Sequence, residues 1–232
     1  MMDRAQAERV LLENGWLAGQ EPDLVEAILG HARMVEIGTS QSPFHPGDDP
    51  SGLFGVVQGG IGVSITSIDD EMHLADVLRA GSWFGYRPFL YGAGRSVKYY
   101  FTAIEPSLLA YVSLPDLQAI AAKSAHNQRA LFSLSDFALE IATRTIAALM
   151  IRNPQRRIAE ILARVSVPAG EARDVHSSCV RLTQSQIGEM AALDRKVVNR
   201  ALGRLADRGL VQLTYAGVIV PDPAALRAFA RQ

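Results

Sequence analysis

Two groups of side chains in this 232-residue chain have the types and spacing for chemistry at an anion. In the first, Arg195, Lys196, Asn199 and Arg200 share an arc of about 140° if residues 195–207 are helical, with Gly203 inside it. Val197, Val198, Ala201, Leu202 and Leu205 fall on the other side. Arginine and lysine donate well to guanine O6 and N7, and asparagine pairs with adenine. Just upstream, Thr183, Gln184 and Ser185 offer hydroxyl and amide groups at a helix start, where an anion such as phosphate is favoured. The second group is the loop GYRPFLYGAGRS at 85–96. Its glycines let the backbone approach a ligand closely, and Arg95 with Ser96 offers a guanidinium fork and a hydroxyl to an oxyanion.

Other chemistries lack their residues. Cys179 is the single cysteine, which excludes an internal disulfide and a cysteine-ligated iron–sulfur cluster or zinc ribbon, since these need about four. The histidines His31, His45, His73, His126 and His176 are scattered, and only His45 and His73 fall in the strand-rich segment, so a cupin-type metalloenzyme site is not expected. The chain reads as a non-enzyme. Haem ligation needs one histidine only, and His73 keeps that alternative open.

The first group needs a scaffold, and the sequence supplies one. Thr183 and Gln186 form a capping box, so a helix begins there and runs to about Ala191. Leu193 and Asp194 make a tight turn, with Asp194 as N-cap of a second helix to Asp207, and GLVQLTYAGVIVPD supplies a two-stranded wing. This is a helix-turn-helix with its base-reading side presented. Charge follows the same division: residues 1–152 carry 11 Lys and Arg against 17 Asp and Glu, a balance of −6, whereas 153–232 carry 12 against 7, or +5. The basic third suits a polyanion, although a merely solvated basic face has the same count.

The second group sits in a different pattern. After a short helical stretch from about Asp23 to Met34, residues from about 38 to 114 show short runs of Val, Ile, Tyr and Phe separated by Gly or Asp clusters, the signature of an antiparallel barrel or jelly roll. From 116 the pattern is helical to Met150, and the RNPQ at 152–155 ends it. Two stripes run along that helix: Leu131, Leu134, Ala138, Ile141, Thr145 and Ala148, and one residue further, Phe132, Ser135, Leu139, Ala142, Ile146 and Leu149. Two buried stripes, with the small residues Ala138, Thr145 and Ala148 in the first, fit a helix that packs on its twin through that first seam as well as on its own barrel. Expected domains are therefore 1–115, a barrel with N-terminal helices; 116–152, a dimerisation helix; and 153–232, the winged helix. With 48% apolar residues the chain can bury a real core. No apolar run reaches the roughly 20 residues of a membrane helix, and the polar start is unlike a signal peptide, so a cytoplasmic setting is expected.

This order of parts resembles the CRP/FNR family of bacterial transcription regulators across nearly the whole chain. PGDDPSGLFGVVQGGIGV matches the family's Gly-Asp…Leu-Tyr…Val…Gly-x-Val segment, GRSVKYYFTA its Pro-Arg-Ser-Ala…Ala cassette, and LTQSQIGEMAALDRKVVNRALGRLADRGLV its helix-turn-helix signature. The resemblance implies an α+β chain: an N-terminal cyclic-nucleotide-binding-like β jelly roll, a long dimerisation helix and a C-terminal winged helix-turn-helix. It further implies a homodimer on a palindromic double-stranded DNA operator, and RNA polymerase as a partner. Two departures stand out. Cyclic-AMP-responsive members open the cassette with Gly-Glu, the glutamate accepting from the ribose hydroxyl; this chain has Gly85-Tyr86. Arg95 and Ser96 would hold the cyclic phosphate, and the adenine-contacting Thr-Ser pair falls at Ala142-Thr143. One lost charge-assisted hydrogen bond is worth roughly 1.5–3 kcal/mol, so cyclic nucleotide binding is weakened rather than excluded. An effector-independent regulator, or one sensing haem or another small molecule, is the alternative. In the recognition helix, Arg195, Lys196 and Arg200 replace the family's Arg, Glu and Arg, so Lys196 either changes the base read or reaches a phosphate.

Overall fold

The computed structural model describes residues 2–44, 51–68, 70–92, 99–166, 179–215 and 217–232. They divide into two compact units, one of residues 1–63 and 77–141 and one of 64–76 and 142–232. The first opens with helices α1 (Arg4–Glu13) and α2 (Pro22–His31). An Asp3/Gln6 capping box starts α1, and a proline in its first turn starts α2. Strands β1 (Arg33–Ile37), β2 (Gly52–Gln58), β3 (Ile61–Thr66), β4 (Met72–Leu78) and β5 (Trp83–Phe84) follow. Next come a short helix α3 (Arg87–Tyr91) and strands β6 (Tyr99–Ala103) and β7 (Ser107–Ser113). One sheet has the order β1-β7-β2-β5, all antiparallel, and a second has β4-β3-β6.

Side chains alternate across the sheet, so its two faces feed two cores. One cluster holds Leu53, Val57, Trp83, Ala110 and Val112 with Leu11, Leu24 and Ile28 of the N-terminal helices. Here Trp16 meets Trp83 edge-on at 5.8 Å, and its indole N–H donates to the Ser133 hydroxyl at 2.9 Å. The other cluster is aromatic. Phe54, Phe84 and Phe101 stack with centroids 5.4 and 4.5 Å apart, Tyr111 lies 4.8 Å from Phe54, and Phe44 closes on Phe54 and Phe101 at 5.8 Å.

The single helix expected over 116–152 is instead three: α4 (Leu114–Ala122), α5 (Ala125–Phe132) and α6 (Leu134–Leu149). Ser124 causes the first break: it adopts an extended backbone, and its hydroxyl accepts from the Asn127 N–H at 3.0 Å, capping a new helix. At the second, the Ser133 hydroxyl donates to the Ala130 carbonyl at 2.7 Å. The two stripes also separate. Leu131, Leu134 and Ala148 of the proposed twin-facing seam are buried within their own chain, and Ile141 packs on the aromatic cluster. The second stripe is the open one: Phe132, Leu139, Ile146 and Leu149 are exposed, as is Met150.

The second unit contains α7 (Pro154–Val165), β8 (Cys179–Val180), α8 (Gln184–Ala191), α9 (Arg195–Asp207), β9 (Gln212–Thr214), β10 (Gly217–Ile219) and α10 (Pro223–Ala230). The wing is a three-stranded sheet, β8-β10-β9, because β8 adds an edge to the expected pair. To this unit also belongs the end of the β3–β4 hairpin, residues 64–76. Asp76 is buried, with one carboxylate oxygen 3.3 Å from Arg164 Nη2 and the other accepting from the Thr145 hydroxyl at 3.1 Å. Arg164 Nη1 donates to Thr145 at 3.0 Å, and the Leu74 N–H donates to a Glu189 carboxylate oxygen at 2.8 Å. Among the described residues the buried Arg164 Nε and Nη2 have no hydrogen-bond partner, so the Nη2 approach to Asp76 is charge proximity without hydrogen-bond alignment. Removing one partner of such a buried pair costs about 3–5 kcal/mol, because the other charge is left uncompensated. Asp76→Ala should lower the urea midpoint of the C-terminal unit accordingly, and adding Arg164→Met should recover most of the loss; a double variant no more stable than Asp76→Ala would contradict the coupling.

Candidate nucleic-acid interface and sensing barrel

The helix pair α8 and α9 forms by local rules. Thr183 and Gln186 close the capping box, with Thr183 N–H to Gln186 Oε1 at 2.9 Å and Gln186 N–H to Thr183 Oγ1 at 3.1 Å. Ala192 then takes a left-handed backbone, φ 49° and ψ 52°, which costs a non-glycine residue roughly 1 kcal/mol or more. The turn returns part of this, since the Leu193 N–H reaches the Gly188 carbonyl at 2.9 Å. Gly188 is required for that approach, because a Cβ there would lie 2.7 Å from the Leu193 carbonyl oxygen. Asp194 starts α9 by accepting from the Lys196 and Val197 N–H groups at 2.9 and 3.0 Å.

Packing then fixes which side of α9 faces outward. Val198, Ala201, Leu202 and Leu205 are buried, against α7, whose own Ile158, Ile161 and Leu162 are fully buried. Arg157 ties the C-terminus of α8 in place, donating to the Ala191 carbonyl at 2.8 Å and to Ile151 at 2.9 Å. With that side closed, Arg195, Lys196, Asn199 and Arg200 are all exposed on the opposite arc. Thr183 and Ser185 are exposed and Gln184 is half-buried at the start of α8. A cleft of about 540 Å3 lies between these helices and the wing, lined by Arg181, Thr183, Gln184, Ser185 and Arg195, and by Leu213, Thr214 and Tyr215 across from them. Sequence reasoning places Leu213, Thr214 and Tyr215 in the wing but does not assign them or Arg181 to the site, because the cleft forms only once β9 and the turn after it stand beside α8 and α9.

The sensing residues are only partly brought together. Gly85 has φ +88°, and a Cβ there would meet the Gly52 carbonyl oxygen at 2.5 Å and the Phe54 ring at 2.9 Å, so the position after β5 must carry glycine. Tyr86 caps α3 and packs against the cluster containing Trp83 and Leu131. Arg95 and Ser96 lie outside the described residues, as do His45 and His176. Thr143 is exposed on α6, two residues beyond Ile141. His73 stands on the β3–β4 hairpin with its ring 43% exposed, 4.0 Å from the Glu71 carboxylate. Among the described residues no helix is long and apolar enough to cross a membrane.

Comparisons with known proteins address both halves. Residues 35–124 match the cyclic nucleotide-binding domain and residues 156–229 the Crp-like helix-turn-helix domain. The chain is 21% identical over 229 residues to a CRP-like cAMP-activated global transcriptional regulator of Mycobacterium tuberculosis, covering 97% of this chain and all of that protein. It is 20% identical over 205 residues to the cAMP-activated global transcriptional regulator CRP of Haemophilus influenzae, covering 88% and 90%. The fold matches that of a putative cyclic nucleotide binding protein of Ruegeria pomeroyi with a TM-score of 0.71 at 15% identity over the full length of both chains. A cyclic nucleotide-binding domain joined in this order to a Crp-like helix-turn-helix, over a chain collinear with CRP regulators, makes this protein a transcription regulator of the CRP/FNR family.

Proposed function

We propose that the chain works as a cytoplasmic homodimer that reads a palindromic DNA operator through α9, acts on transcription through RNA polymerase, and carries a sensing barrel altered from the cyclic-AMP pattern. The observation that carries this reading is the exposed arc of Arg195, Lys196, Asn199 and Arg200 on a helix whose opposite side buries Val198, Ala201, Leu202 and Leu205. Thr183, Gln184 and Ser185 anchor phosphates. Selection of bound sequences from random DNA, with and without a panel of nucleotides, tests site and effector together. Arg195→Ala, Asn199→Ala and Arg200→Ala should each cost about 1–3 kcal/mol at the selected site and relax preference at particular base pairs. Lys196→Glu separates two roles: a changed preferred base marks a base reader, and uniform weakening with a flatter salt dependence marks a phosphate anchor.

The open stripe of α6 supports dimerisation. On α6, Leu139 and Ile146 are 65% and 60% exposed and seven residues apart, with the exposed Leu149 one turn further on. Large apolar groups at heptad spacing on one helix face suit a second copy of the same helix. Leu139→Glu should yield monomers in sedimentation while leaving the fold intact; a wild type monomeric at micromolar concentration would contradict the dimer.

The effector reading rests on Tyr86 and the cassette sequence. A phenol packed among apolar side chains leaves the sugar hydroxyl without its carboxylate acceptor. Calorimetry should show weak or absent cyclic AMP binding by the wild type and a gain of about one to two decades in Tyr86→Glu. Tight wild-type binding would overturn this account of the sugar contact.

A further inference from the structure

The apolar period that suits a twin helix runs on past the point where α6 begins. Phe132, Leu139 and Ile146 are spaced by seven, so on one continuous helix they would fall within an arc of about 40°. The break at Ser133 divides that line, leaving Phe132 on α5 and the other two on α6. A helical period that crosses a helix break sets local sequence against observed structure, and such conflicts mark functional or strained positions. Phe132 is 46% exposed, and its ring lies 6.1 Å from that of Phe89 on α3, three residues beyond Tyr86.

The break has an identifiable cause. The Ser133 hydroxyl donates to the Ala130 carbonyl at 2.7 Å and the Ser133 N–H reaches the same carbonyl at 3.2 Å, so the acceptor that a continuous helix gives to the Leu134 N–H is already engaged. A serine that bonds back to its own helix in this way bends it. Trp16 completes the arrangement: its indole N–H donates to the same hydroxyl at 2.9 Å and, on a side chain only 5% exposed, needs that acceptor. With Trp16 on its acceptor side, the hydroxyl keeps its proton on Ala130. Trp16 also meets Trp83 edge-on, and both belong to the cluster against which Tyr86 and Phe89 pack.

We infer that the break at Ser133 is a switch in the dimer seam. While Trp16 holds Ser133, α5 and α6 stay separate and Phe132 remains beside Phe89; once released, the helices join and Phe132 lines up with Leu139 and Ile146 against the second copy. Dimer strength is thereby coupled to the segment that carries Gly85, Tyr86 and Phe89, where the altered effector contact is proposed. The inference rests on the dimer proposed above and gives it a second state.

Cysteine cross-linking of the full-length protein, in a Cys179→Ser background, tests the switch. Leu139→Cys should form a disulfide between copies whether or not Ser133 is changed. Phe132→Cys should cross-link poorly in the otherwise native chain and about tenfold faster once Trp16→Phe and Ser133→Ala are added, a double change that removes donor and acceptor together and leaves no buried indole N–H orphaned. In sedimentation, the same double change without added cysteines should tighten the dimer about tenfold, and Phe132→Ala should cancel that gain. Trp16→Phe alone should move both measurements in the same direction. Equal cross-linking of Phe132→Cys with and without the double change, alongside normal cross-linking of Leu139→Cys, would overturn the switch and leave the dimer standing. A Leu139→Cys chain that never cross-links would overturn the dimer and the switch with it.

Discussion

A helix can offer polar side chains to a groove only if something holds its other side, and in this protein that requirement falls on Val198, Ala201, Leu202 and Leu205. Their burial against α7 sets the rotation of α9 about its own axis. A shift of one residue would turn the helix by about 100° and carry Lys196 and Asn199 away from the exposed arc. The rest of the C-terminal unit serves to protect that rotation. Asp194 fixes where α9 begins, Arg157 holds the end of α8, and the Leu193–Gly188 hydrogen bond keeps the turn short enough for both helices to share one core. The left-handed Ala192 is a local cost tolerated for the sake of that geometry.

The parts of this unit that the sequence revealed are those encoded within a few residues. Capping by Thr183 and Asp194 and the apolar period of α9 are local signals, and the structure follows them closely. The segment after β7 was harder to read, because its apolar period continues across two helix breaks. Ser124 and Ser133 look like ordinary polar positions on a long helix, and their roles depend on the extended backbone at one and a tryptophan 117 residues away at the other. The two stripes of α6 likewise could not be ranked from spacing, since a helix facing its own barrel and a helix facing a twin show the same period. What separates them is the aromatic cluster, which takes Ile141 for itself.

The same aromatic cluster bears on the proposed effector site. Phe54, Phe84 and Phe101 come from three strands that are distant in sequence, and their stacking depends on the sheet register that sets Phe54 opposite Phe84. Gly85 follows directly, and it must be glycine because its φ is positive and the Gly52 carbonyl oxygen and the Phe54 ring occupy the space a side chain would need. The Gly-Tyr pair that departs from the cyclic-AMP pattern is thus half constrained by packing and half available to vary. The glycine is fixed by the packing around it, and the half-buried tyrosine packs against the core cluster that includes the N-terminal helices.

The hairpin carrying Asp76 limits how such a protein can be dismantled or recombined. In sequence the sensing and DNA-binding parts look like two consecutive modules, joined near Pro154. In space the second module owns thirteen residues that lie inside the first module's sequence, and the chain passes between the units three times. A winged helix transplanted from a relative would bring its own equivalent of α7 to meet this hairpin, and would inherit Asp76 whether or not it supplied a cation for it. Exchange between family members should therefore succeed only when the hairpin and α7 travel together, so that these two segments form one unit of inheritance despite being separated by nearly eighty residues.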